Sequence, residues 1–167
     1  YDREGRVIRL DFPEFSLLNV YVPSGSSGED RQAFKEVFMD EFYSYIQGLL
    51  VKFPKLVICG DFNICHQPID IHNPVSNKNS SGFFPHLRAW LSKFLELGFV
   101  DSYRVHHPEP HQYSWWSFRF KSREQNKGWR IDYHLVSEAL RSNIADANIY
   151  QGDVQSDHAA VQVLLKF

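Results

Sequence analysis

Cysteine is scarce in this 167-residue chain: there are two, Cys59 and Cys65. They form no CxxC pair and no zinc spacing, which excludes a disulfide framework and a cysteine-built metal site. Both lie in or beside an apolar run and are read as reduced core thiols of a cytoplasmic protein. No apolar stretch approaches the roughly 20 residues of a membrane-spanning helix, and no signal peptide opens the chain, so no membrane partner is expected. A basic surplus is missing too. The net charge of −2 argues against a protein that coats duplex nucleic acid by neutralising phosphates. Repeats and low-complexity linkers are lacking. The chain begins at Tyr1, not at a methionine, and is read as processed, truncated or incompletely given.

Aromatic residues are abundant: 14 Phe, 8 Tyr and 4 Trp make 16% of the chain. Part of this must fill a core, because large rings remove much apolar area from water. Hydrophobic residues at 43% and charged residues at 23% mark a globular protein, and the length suits one domain. The one strongly basic stretch is RFKSREQNKGWR at 119–130, a solvated loop or one that tracks a phosphate backbone.

Patterning predicts strands at 7–12 and 15–22, joined as a hairpin over Pro13 and Glu14, and a turn at 24–28. A helix is expected from Glu29 to Leu50, with Phe34, Val37, Phe38, Glu41, Phe42, Tyr45, Ile46 and Leu49 recurring at helical spacing. A buried strand at 55–63 ends in Gly-Asp-Phe-Asn. A polar loop covers 66–83, and a helix runs from about Phe84 to Leu97 with Leu87, Trp90, Leu91, Phe94 and Leu95 on one face. Strands are expected at 99–104, 112–118, 130–137, 147–150 and 159–167, with a helical turn near 138–142. His106, His107 and His111 are expected exposed, and Asp70 is expected to hold the 66–80 loop by hydrogen bonds. The elements predict an α/β protein with two layers of sheet and helices outside.

Three polar clusters fall at the ends of expected buried strands: Asp61 with Asn63, Asp132, and Asp157 with His158. Carboxylates placed there are costly unless paired, hydrogen-bonded or bound to a cation. Hard divalent cations favour such oxygen ligands, and a histidine beside a carboxylate is oriented and held charged by it.

The segments GDFN (60–63), NKGWRIDY (126–133) and SDH (156–158), with NVYVPSG (19–25) upstream and DIHNP (70–74), resemble, in this order, signatures of the exonuclease III family of abasic-site endonucleases. GDFN and SDH also recur across the wider endonuclease/exonuclease/phosphatase superfamily. The 126–133 segment and the 70–74 loop narrow the resemblance to the DNA-repair branch. The resemblance implies a four-layer α/β sandwich of two packed mixed sheets flanked by helices. It also implies that residues 1–167 are a single domain lacking its N-terminal third.

For individual residues the resemblance implies the following. Asp61 orients or deprotonates the attacking water, and Asn63 positions the phosphate. His158 donates to a non-bridging phosphate oxygen, with Asp132 fixing its ring. Tyr21 brings a hydroxyl to the scissile phosphate. Asp157 is a metal-site carboxylate, with Asp61, Asn63 and His158 beside the same Mg²⁺ or Mn²⁺. Trp115 and Trp129 wall a pocket for a flipped-out baseless sugar, Asn77 contacts the DNA backbone or buttresses Asp61, and Asn126 and Arg130 meet the DNA. The implied partner is duplex DNA with abasic sites or 3′ ends, acted on by a monomeric parent protein in the cytoplasm, at the nucleoid.

The chain also departs from the family. It contains no match to the family's upstream Asn or its metal-binding Glu, so on its own it is expected to be inactive, to expose an apolar face and strand edges, and to be poorly stable or associate. Segment 24–28 lacks the Arg of some relatives, and Ser80 stands where some carry Asn. The competing readings are another superfamily phosphoesterase and a non-catalytic DNA-binding fragment.

Overall fold

β-branched and aromatic residues on either side of Pro13 form the expected hairpin. In the computed structural model β1 (Val7–Asp11) pairs antiparallel with β2 (Ser16–Tyr21). Residues 4–152 and 155–167 are described. Asp2 and the middle of the expected 151–158 loop, Asp153 and Val154, lie outside the described residues.

Strand β2 runs parallel to β3 (Leu56–Asp61), and two parallel neighbours need a crossover. Helix α1 (Glu29–Lys52) supplies it. Glu29 and Asp30 place negative charge in its first turn, where the helix dipole favours it. Its buried stripe is Lys35, Phe38, Met39, Phe42, Ile46 and Leu49. The expected stripe was therefore turned too far: Val37 and Tyr45 are 54% and 46% exposed. With Glu41 they form an i, i+4 row of their own on the solvent side.

Helix α2 (Pro85–Leu95) starts on a proline, which suits the first helical turn, and buries Leu87, Leu91 and Phe94. Phe94 stacks on Phe42 at 5.7 Å, Phe99 at 5.6 Å and Trp90 at 5.0 Å. Leu18, Val20, Leu56, Ile58, Tyr133 and Leu135 close this core from the sheet side. Each such buried side chain contributes about 1.5–3 kcal/mol.

The main sheet is mixed and five-stranded, in the order β1-β2-β3-β5-β4, with β5 (Asp132–Ser137) antiparallel to both β3 and β4 (Phe99–Asp101). Its other face carries Val57 and Val136. There it meets Leu140, Ile144, Val163 and Leu165 of a two-stranded antiparallel sheet, β6 (Ile144–Tyr150) with β7 (Ala160–Leu165), and the turn before it. The chain is thus of the α/β class. The long helices α1 and α2 share the core on one face of the five-stranded sheet, and β6–β7 covers the other. Strand β1 is exposed along its whole length.

Two expected strands are corrected. The one at 99–104 stops at Asp101, whose carboxylate accepts a hydrogen bond from the Arg104 backbone N–H and so caps the short helix α3 (Ser102–His106). The segment 112–118 forms no strand. Trp115 makes single bridges to Trp129 and His158 instead. His107 is half-buried, not exposed, with Nε2 2.7 Å from the Ala147 carbonyl oxygen. Cys59 and Cys65 are both free thiols.

Candidate active site

Strand register sets three polar side chains in a row. Tyr21 at the end of β2 is opposite Asp61 at the end of β3, which is opposite Asp132 at the start of β5. Gly60 makes the approach feasible: with φ of 132°, any Cβ there would overlap the Val20 carbonyl oxygen.

Beyond Asp61 the chain turns sharply through Asn63, whose φ is 51°. The turn is tied to the carboxylate itself. Asn63 donates its backbone N–H to Asp61 Oδ1 at 2.7 Å and its amide Nδ2 to Asp61 Oδ2 at 3.0 Å. The same amide reaches the Val22 carbonyl at 3.0 Å. Phe62 between them is fully buried, edge-on to Phe94 and Tyr133. Behind the turn, Lys35 of α1 donates from Nζ to the Asn63 carbonyl at 2.7 Å.

Asp132 is held from two sides. His158 Nδ1 lies 2.9 Å from its Oδ2, and the Ser114 hydroxyl donates to the same oxygen at 2.6 Å. Ser114 is fully buried, and its oxygen also accepts from the backbone N–H groups of Ile131 and Asp132, at 3.1 Å each. Asp157 accepts from Trp115 Nε1 at 2.9 Å. Trp115 and Trp129 stand edge to face at 6.1 Å, tied by paired backbone bonds of 2.8 Å.

Electrostatics follow from this packing. Burial and then the Asp132 carboxylate push the Asp61 carboxyl up to about 7, against the Asn63 N–H, His158 and Lys35. The hydrogen bond to Asp132 raises His158 above the usual histidine range, against burial. Burial lowers Lys35 to about 8, against the pull of Asp61.

These side chains open on a cleft of about 560 Å³ lined by Tyr21, Asp61, Asn63, Trp115, Trp129, Asp157 and His158, with Ser80, Ser81 and Gly82. Seven of the eleven expected site residues therefore share one cavity, and Asp132 backs it through His158. Among the described residues, Asp61, Asp132 and His158 can present one ligand atom each within 4.8 Å of one another, a geometry that suits a metal ion. Two carboxylates and an imidazole suit a divalent cation, and a carboxyl raised by burial and by a like-charged neighbour is what a cation would relieve.

Other expected residues lie elsewhere. Arg130, expected to meet DNA, is fully buried: its guanidinium bonds Asp70 at 2.8 Å and Asp101 at 2.6 Å. The expectation rested on the resemblance and on the basic run around it, but the side chain turns inward just before β5, to these two carboxylates. Asp70, as expected, ties its loop: it accepts from the Gln67 N–H and is paired with Arg104 and Arg130. Asn77 spends its amide on the His72 and Asn73 carbonyls and makes no bond to Asp61. Asn126, at φ of 48°, bonds Trp116 Nε1 and the His111 carbonyl. Neither asparagine lines the cleft. Sequence reasoning missed Ser114 and Lys35. The one signal for each was a polar residue interrupting an aromatic run or a buried helical stripe.

Residues 1–158 match the Endonuclease/Exonuclease/phosphatase family. An exodeoxyribonuclease of Bacillus subtilis (strain 168) is 42% identical over 166 residues, covering 99% of this chain and 66% of the relative. The DNA repair nuclease APEX1 of Danio rerio is 39% identical, over 99% and 53%. An AP endonuclease structure from Archaeoglobus fulgidus superposes with a TM-score of 0.88 at 30% identity, covering 98% of this chain and 66% of that one. The 3′ phosphatase NExo from Neisseria, bound to a product DNA hairpin, superposes at 0.90 with 27% identity, over 97% and 65%. The chain therefore spans less than two thirds of the length of each of these proteins. With an ordered acid–imidazole cluster at the strand ends and this match over nearly its whole length, the chain belongs to the endonuclease/exonuclease/phosphatase family.

Proposed function

We infer that this chain is the greater part of a metal-dependent DNA-repair phosphodiesterase of the exonuclease III type, which hydrolyses duplex DNA 5′ to abasic sites and trims 3′ ends. The observation that carries the reading is the Asp61–Asp132–His158 cluster at the floor of a cleft walled by two tryptophans. The names of the relatives point the same way: exodeoxyribonuclease, DNA repair nuclease, AP endonuclease and 3′ phosphatase.

In this reading Asp61 accepts a proton from the attacking water. Asn63 keeps the carboxylate in one rotamer through two hydrogen bonds. His158, with Nδ1 engaged by Asp132, keeps Nε2 free to donate to a non-bridging phosphate oxygen as negative charge builds there. Tyr21, half exposed at the rim, offers its hydroxyl to the same phosphate. Trp115 and Trp129 accept a sugar with no base. Extruding such a nucleotide costs least, which contributes to selectivity.

Asp61 and Asp132 would hold the cation, Mg²⁺ or Mn²⁺, with Asn63 and Asp157 alongside and His158 beside it as the proton donor. When bound, it supplies Lewis-acid stabilisation of the phosphoryl and leaving oxygens. The protein acts as a cytoplasmic monomer at the nucleoid.

The test is a substrate panel for the protein at its full natural length: abasic duplex, 3′-phosphorylated duplex, intact duplex and a phosphoinositide, each with Mg²⁺ or EDTA. Mg²⁺-dependent cleavage of the first two supports the reading. Equal turnover of the phosphoinositide supports a different phosphoesterase, and binding of abasic duplex without cleavage supports a non-catalytic module.

A further inference from the structure

Lys35 is an anomaly of the helix core. It opens the buried stripe of α1, ahead of Phe38 and Met39, with no exposed surface, and its ammonium is directed at a backbone carbonyl. A lysine has three donors and a strong hydration shell, so burying one is costly unless its charge is used.

The carbonyl it meets belongs to Asn63, the residue in the left-handed region just after Asp61. Asparagine enters that region more readily than other non-glycine residues, and here the bonds around it fix the turn. Every other bond of Asn63 faces forward, to Asp61 or Val22. Lys35 holds it from behind. The acids around the ammonium are Asp61 and Glu36. Glu36 is itself engaged by Gln32 and His86, which leaves Asp61 as the acid in the cleft that the cation faces.

We propose that Lys35 is a positioning residue for the cleft: through the Asn63 carbonyl it locks the left-handed turn that presents the Asp61 carboxylate and the Asn63 amide to the phosphate. It touches no substrate. The consequence for turnover rests on the phosphodiesterase reading above. The geometric part does not.

The experiment compares the full-length protein with Lys35→Met and Lys35→Gln by steady-state cleavage of abasic duplex DNA, thermal melting and crystallography. In folded Lys35→Met, kcat is expected to fall about a hundredfold, the cost of a misplacement near 1 Å, while KM stays within a few-fold. The crystal structure is expected to show Asn63 leaving its left-handed conformation. A folded Lys35→Met with unchanged kcat, or a loss confined to KM, overturns the proposal. If that variant does not fold, Lys35→Gln carries the test. Its amide must keep both the bond to the Asn63 carbonyl and the turnover, or lose both; either one changing without the other overturns the proposal. If the unmodified protein cuts no substrate, the functional reading fails by itself. The crystal structures then decide: an Asn63 turn displaced in the variant supports the lock, and an unmoved turn overturns it.

Discussion

His158 and Asp132 are joined by a single contact of 2.9 Å between Nδ1 and Oδ2, made between residues 26 apart in the chain. That contact fixes which ring nitrogen faces the cleft, and it raises the basicity of the imidazole. If His158 donates to phosphate, the protonated form is the active one. Activity should then fall as pH rises through the raised value. Asp132→Asn weakens the bond and should move that alkaline limb to lower pH. A pH–rate profile of kcat/KM for both proteins checks this, and an unmoved limb contradicts it.

Ser114→Ala removes one donor to Asp132 and the acceptor for two backbone N–H groups. Leaving buried groups unpaired costs about 1–3 kcal/mol, so a lower melting temperature is expected. Because Asp132 also loses a tether, kcat should fall more than the destabilisation alone explains. Measuring kcat well below the melting transition separates the two effects.

The buried pairing of Asp70 gives a pH dependence of a different kind. Burial raises its carboxyl, but the Arg130 and Arg104 guanidiniums outweigh this and hold it net below the usual range. A carboxyl depressed in the folded state contributes stability that is complete above its unfolded value, near 3.9. That stability is lost as pH falls through the folded value. Asp70→Asn should therefore lose less stability than the unmodified protein on acidification below about pH 4. Parallel acid-unfolding curves would contradict this. Arg130→Met, which strips a partner from both Asp70 and Asp101, should cost about 3–5 kcal/mol.

Trp129 stands edge to face with Trp115 at the wall of the cleft. Trp129→Ala should widen the pocket and reduce the preference for abasic over intact duplex, read as a ratio of kcat/KM values. A loss of rate with an unchanged ratio would place the tryptophan outside the discriminating contacts.

Much of this site was legible because its residues announce themselves against their surroundings. Asp61 ends an apolar run, and Asp132 opens an alternating one. The row from Tyr21 through Asp61 to Asp132 was not legible, since strand register is decided by packing across the chain. Arg130 was misjudged because a basic neighbourhood says nothing of which face a residue takes. Its burial depends on Asp70 and Asp101, which no local pattern links to it. The segment around Trp115 reads as a strand by composition. Its partners Trp129 and His158 arrive singly, so no ladder extends. Lys35 and Ser114 show only as polar breaks in apolar runs; their roles are defined by the buried groups they hold.

The measurement that bears most directly on the central claim is cleavage of an abasic duplex by the protein at its full natural length, beside its Asp61→Asn variant, in Mg²⁺. The account predicts nicking by the unmodified protein that EDTA abolishes, and a loss of about 10²–10⁴-fold in kcat for Asp61→Asn with abasic-DNA binding retained. Undiminished nicking by Asp61→Asn would contradict it.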